Sequence, residues 1–125
     1  MKRSEINAEF KWAKALLEKN NIRLPDRAYW TMDEWKANKP LIDVIAKTTV
    51  GWDITDYGTG KYLEIGAVLY TLRNGRQDDP GVGVPYCEKY ILMRDGQRLP
   101  KHYHVFKTED IINRAGGVLE VMLWN

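Results

Sequence analysis

Both histidines of the chain stand one residue apart, as His102-Tyr103-His104, and Glu109 follows five positions later. Side chains on a strand alternate between its faces, so His102 and His104 would point one way and Tyr103 and Val105 the other. Two imidazoles on one face can hold one metal ion. Glu109, reached across a bend at Phe106 to Thr108, can add a carboxylate oxygen. Imidazole plus carboxylate suits Zn, Mn, Fe, Co or Ni and leaves coordination positions open for water or substrate. The bland alternative is a pair of half-buried strand histidines beside a solvated glutamate. Glycines at fixed offsets count against it, because Gly96 and Gly116 frame the trio as Gly-x5-His-x-His-x4-Glu-x6-Gly.

The elements that must carry these residues fall into a helical front and a strand-rich remainder. Ser4 to Asn20 has Ile6, Phe10, Ala13, Leu16 and Leu17 at helical spacing, with Ser4 as the expected cap and Asn20-Asn21 as the stop. Thr31 and Glu34 form a capping box for a short helix, and Pro40 fits the first turn of another. From about residue 50 the pattern changes. Trp52–Tyr57, Glu64–Arg73, Tyr86–Arg94, Leu99–Phe106 and Val118–Trp124 read as strands, with turns expected at Asn74-Gly75, Asp95-Gly96 and Gly116-Gly117. The organisation expected is 1–50 as a helical segment and 51–125 as a strand-rich barrel segment.

Composition narrows the function classes. The 125 residues carry 19 Lys and Arg against 17 Asp and Glu, and the first fifty hold 10 basic and 7 acidic residues. A net charge of +2 without a basic block gives no electrostatic footprint for nucleic acid. No apolar run approaches a membrane span. The single cysteine, Cys87, allows no disulfide within the chain, so a reducing, cytoplasmic setting is expected. Five Trp and seven Tyr against two Phe is a heavy load of rings with polar handles, suited to a pocket wall, an interface or a core.

The framed histidine motif matches the first signature of the cupin superfamily at each defined position. That resemblance implies an antiparallel β-barrel, or jelly roll, holding a metal on His102, His104 and Glu109. A second signature normally supplies another histidine, and none follows here. A closer resemblance covers nearly the whole chain. Met1 to Asn7, Arg23-Leu24-Pro25, Tyr29-Trp30, Glu34-Trp35, Gly51 to Gly58, Arg73-Asn74-Gly75, Glu88-Lys89 and Glu109 to Arg114 resemble the D-lyxose isomerases, cupin-type aldose–ketose isomerases.

The resemblance implies an α+β chain with helices packed on a cupin-type barrel that is incomplete at its C-terminus, about half the family's length. It implies interconversion of D-lyxose and D-xylulose, with D-mannose and D-fructose as a further pair. Mn2+ is the implied cofactor, with Zn2+, Co2+ or Fe2+ as alternatives. The implied partners are a small sugar and either a second copy in a homodimer or a second chain supplying the remaining strands, with no nucleic acid and no membrane. Lys89 matches the family's sugar-pocket lysine, whose ammonium can steady a developing oxyanion or pass a proton to a hydroxyl. The proton-transfer carboxylates would come from the other half. A sugar-binding module without turnover is the alternative.

Trp52-Asp53 and Asp56-Tyr57 combine rings with carboxylates, which suits sugar binding but also suits core rings beside turn aspartates.

Overall fold

The protein is seen as a computed structural model that describes residues 1–124. The order is α1 (Arg3–Lys19), a 3-10 turn (Asp26–Tyr29), α2 (Met32–Ala37), α3 (Lys39–Thr48), β1 (Gly51–Thr55), β2 (Ala67–Gly75) and β3 (Gly83–Leu92). The three strands form one antiparallel sheet in the order β1-β2-β3. This is an α+β arrangement, and among the described residues the sheet is open rather than closed into a barrel. No helix among them is long and apolar enough to cross a membrane.

The helix ends follow local chemistry. The expected cap at Ser4 moves to Lys2, whose backbone N–H donates to Glu5 Oε2 at 2.6 Å. Glu5 reaches back three residues and satisfies a backbone donor that α1 cannot pair internally. The stop at Asn20-Asn21 is as expected, with Asn21 left-handed at φ 54°. Thr31 and Glu34 form their capping box, with the Thr31 N–H donating to Glu34 Oε2 at 2.7 Å. Pro40 sits in the first turn of α3.

The core lies between α1 and one sheet face. Ala13 and Leu17 of α1 meet Leu24 and Ala28 of the connector, then Val68 and Tyr70 of β2 and Leu92 of β3. Trp52, Ile54, Leu72 and Tyr90 complete it from the same face. Strand alternation therefore sends Thr71, Lys89 and Ile91 to the opposite face.

A charged network closes the core where α1 meets the end of β3. Glu9 is only 8% exposed. Its carboxylate accepts from Arg94 Nε at 2.9 Å, Arg94 Nη2 at 3.0 Å and Tyr62 Oη at 3.1 Å. The Arg94 guanidinium also lies 4.3 Å from the Trp12 ring centre. Burial, and then the Glu9 acceptor, push the Tyr62 phenol from its ordinary 10.0 to about 12. An acid whose folded pKa is raised keeps its proton longer folded than unfolded. The unfolded chain therefore binds fewer protons above pH 10, and stability falls as pH rises from there to about 12. We expect that slope to remove on the order of 2 kcal/mol. Tyr62→Phe should flatten it relative to wild type in urea melts across this range, and an unchanged slope would assign it to other groups.

Two expected features take other forms. Asn74-Gly75 does not turn; both belong to β2, and the connection runs from Arg76 to Val82. Gly75 is required by close approach, since a Cβ there would sit 2.0 Å from the Val84 oxygen. Asn74 instead donates to the Thr48 carbonyl and Thr49 Oγ1, both at 3.0 Å, tying the end of α3 to the sheet. Arg73 pairs with Glu88 across the strands.

The second difference is larger. Leu99–Phe106 and Val118–Trp124 are not strands. An extended segment becomes a strand only where a neighbour accepts its backbone bonds, and these residues find none among the described residues. Apolar content alone did not distinguish an extended arm from a paired strand.

Candidate metal centre

The arm that carries the histidines is anchored at its base. Gln97 Oε1 accepts from the Arg94 N–H at 2.7 Å, and Gln97 Nε2 donates to the Tyr62 carbonyl at 2.6 Å. The Arg98 N–H donates to the Glu64 carbonyl at 2.9 Å, and Arg98 bridges to Ile65. The tight turn at Asp95-Gly96 uses a left-handed Gly96 at φ 75°.

Beyond this base the backbone is irregular, so the period-two argument for the histidines does not hold. They converge nonetheless. The imidazole ring centres are 4.9 Å apart with planes inclined by 72°. One donor atom each from His102, His104 and Glu109 falls within 4.8 Å of the others. His104 Nε2 is 3.1 Å from Glu109 Oε2, and these side chains are 25% and 35% exposed. The hydrogen bond from His104 is the main cause holding the Glu109 carboxyl below its ordinary 4.5; partial burial opposes it, and the Lys107 charge adds to it.

The donor set fits a divalent first-row ion. His102 Nδ1 lies 2.9 Å from the Pro100 carbonyl oxygen. A carbonyl oxygen only accepts, so Nδ1 carries the proton and Nε2 keeps the lone pair a metal needs. A backbone acceptor behind a ligating imidazole is the usual way of fixing its tautomer and orientation. Glu109 contributes an ionised carboxylate beside the second imidazole. Two nitrogens and one oxygen leave room for solvent or a bidentate substrate.

Lys89 is placed elsewhere. It stands opposite Thr71 on the sheet face away from the helical core. There it lines a cavity of about 520 Å³ with Asp53, Leu69, Thr71 and Cys87. None of the three converging residues lines that cavity. Of the aromatic–acid pairs, Trp52 is committed to the core, with its Nε1 donating to the Ala28 carbonyl at 2.8 Å. Asp56 accepts from the Gly58 and Gly60 N–H groups and so shapes a turn. The spacing of residues gave no sign of Glu9, Tyr62 and Arg94, which set the base of the arm from 85 and 53 residues apart in sequence.

Comparison with known proteins bears on the whole chain. The D-lyxose isomerase family model matches residues 1–125. The D-lyxose/D-mannose isomerase of Escherichia coli O157:H7 is 36% identical over 126 residues, covering 100% of this chain and 56% of that protein. That of Serratia proteamaculans is 34% identical over 127 residues, covering 100% of this chain and 55% of its own length. The chain thus spans about half the length of these curated relatives. With the match running from the first residue to the last, the chain belongs to the D-lyxose isomerase family.

Proposed function

We propose that this chain is the metal-holding part of an aldose–ketose isomerase that interconverts D-lyxose with D-xylulose, and D-mannose with D-fructose. The observation that carries the reading is the convergence of His102, His104 and Glu109 in a chain of this family. The names of the two curated relatives supply the aldoses, D-lyxose and D-mannose. Mn2+ is the proposed ion, and Zn2+, Co2+ or Fe2+ suit the same donors. We assign the sheet to a cupin-type barrel, with its remaining strands coming from a further polypeptide segment, a second chain or a second copy. The division proposed is a helical segment at 1–50 and a barrel segment from 51 onward. The lone, exposed Cys87 suits a reducing, cytoplasmic setting.

A divalent ion at this place supplies Lewis acidity to the adjacent oxygens of a hydroxy-carbonyl substrate. The residues divide the remaining work. The Pro100 carbonyl keeps the His102 Nδ1 proton in place and leaves Nε2 its lone pair. Glu109 stays ionised at neutral pH and orients His104. Lys89, on the open sheet face, donates to a sugar hydroxyl or to an oxygen that gains charge during proton transfer. The base that moves hydrogen between C1 and C2 is assigned to residues outside this chain, since Glu109 is engaged by the metal.

A second reading, a sugar-binding module without turnover, is favoured by one observation: Lys89 and the converging trio line no common cavity. The two readings separate in one assay. D-lyxose is incubated with Mn2+ and either this chain alone or this chain joined to the remaining half of the E. coli relative. We expect D-xylulose from the joined protein and little from the chain alone. Sugar binding without D-xylulose from the joined protein would support the module instead. Full turnover by the chain alone would place the base within these residues.

A further inference from the structure

The arm that carries His102, His104 and Glu109 hangs from one polar root. Among the described residues, no hydrogen bond or ion pair joins 99–124 to the rest of the chain. The bonds found there are internal, from His102 to Pro100, His104 to Glu109 and Asn113 to Gly117. The hydrogen-bonded ties to the body end at Gln97 and Arg98. An isomerase site needs more than three converging ligands. The ion must also stand at a fixed place against the sheet face that presents Lys89, and the root sets that place.

Two attachments make up the root, and they differ in kind. Arg98 bridges to Ile65, with its N–H donating to the Glu64 carbonyl at 2.9 Å. A single bridge pins a point and leaves the chain able to swing about it. Gln97 adds the second point. Its N–H donates to the Arg94 carbonyl at 3.1 Å, and its Oε1 accepts from the Arg94 N–H at 2.7 Å, which closes the turn at Asp95-Gly96. Its Nε2 donates to the Tyr62 carbonyl at 2.6 Å. Tyr62 and Arg94 meet again through their side chains on the buried Glu9 carboxylate. The Gln97 carboxamide thus joins the arm to both residues that hold Glu9.

The chemistry demanded at this position is narrow. One end of the side chain must accept and the other must donate, and a carboxamide of this length offers both. Glutamate would set an acceptor against the Tyr62 carbonyl. Methionine would leave that carbonyl and the Arg94 N–H without their partner. From Gln97 the direction passes through stiff residues. Arg98 is bridged, Leu99 is held to extended backbone by the proline after it, and Pro100 has a fixed φ. The Pro100 carbonyl then holds the His102 ring at 2.9 Å.

We propose that Gln97 is a positioning residue of the isomerase site: its carboxamide fixes the direction in which the metal-holding arm leaves the fold, and so the place of the ion relative to Lys89. The proposal rests on the metal reading of the trio.

Cys87 makes that place measurable. It is the chain's one cysteine, it is exposed, and it lines the same cavity as Lys89. A nitroxide on Cys87 and Cu2+ on the trio give a distance distribution by pulsed electron paramagnetic resonance. Cu2+ suits imidazole donors, and both histidines of the chain belong to the trio. We expect one narrow distance in wild type. Gln97→Met, which keeps the size, and Gln97→Glu, which keeps only the acceptor, should both broaden it. Both should keep Cu2+ affinity within about threefold of wild type, because the Pro100–His102 and His104–Glu109 contacts lie inside the arm. Thr31→Ala removes the cap of α2, so it should lower the melting temperature and leave the distance narrow. Circular dichroism checks the folding of each variant. This proposal alone is overturned if the Gln97 variants bind Cu2+ at the wild-type distance and width, if wild type is as broad as they are, or if Thr31→Ala broadens the distance equally. Wild type that binds no Cu2+ overturns the metal reading and this proposal with it.

Discussion

Arg94→Ala should destabilise the protein by about 2–3 kcal/mol, lowering the melting temperature by roughly 10 °C in a domain of this size. The carboxylate left behind is the reason. Glu9 is 8% exposed and takes two of its close contacts from the Arg94 guanidinium. Without Arg94 the charge keeps only the Tyr62 hydroxyl at 3.1 Å. A fully buried pair would cost more, but the Arg94 side chain is 36% exposed, so water relieves part of the loss. Packing on Trp12 goes with it. The double variant Glu9→Leu/Arg94→Met removes both charges and should recover most of the stability. Thermal and urea melts of wild type and the two variants decide the matter. If Arg94→Ala melted within a degree or two of wild type, the network would be ornamental.

This ion pair also shows where sequence reading stops. The periodicity of Phe10, Ala13 and Leu17 discloses α1 and its apolar face without help from the rest of the chain. The Thr31–Glu34 box and Pro40 are local events, and a local signal suffices for them. Glu9 looks like any solvated helix residue, because its partners lie beyond any window in which spacing carries information. The same holds for Tyr70, whose β-propensity predicts a strand but whose stranded hydroxyl shows only in three dimensions.

The convergence of His102, His104 and Glu109 was legible for a partly mistaken reason. Their residue types and framing glycines led to the expectation of a metal site, and the side chains do converge. The alternation invoked to bring them together requires a strand, and residues 99–106 are not one. Convergence comes instead from the anchored base at Arg94 to Arg98 and the His104–Glu109 contact. Lys89 was placed correctly on a strand, yet it faces a cavity the trio does not share. Strand membership fixes which face a residue takes, not how far a following loop carries its intended neighbours.

The largest expected effect concerns the trio itself. Losing a group that merely orients a ligand costs about 10–100-fold in metal affinity. On this account His104→Ala removes a ligand outright and also frees Glu109 from the hydrogen bond that orients it. We expect Mn2+ or Zn2+ affinity to fall by about 100-fold or more. Tyr103→Ala, in the same arm and 86% exposed in the wild type, should leave it within about threefold. Affinity in the wild type should also decline on acidification, because a protonated imidazole has no lone pair to offer. The most direct measurement is calorimetric titration of Zn2+ into metal-stripped wild type, His104→Ala and Tyr103→Ala at neutral pH. One tight site in wild type and Tyr103→Ala, lost in His104→Ala, is the result this account predicts. Equal affinity in all three proteins would contradict it and return the two histidines and the glutamate to the solvated surface.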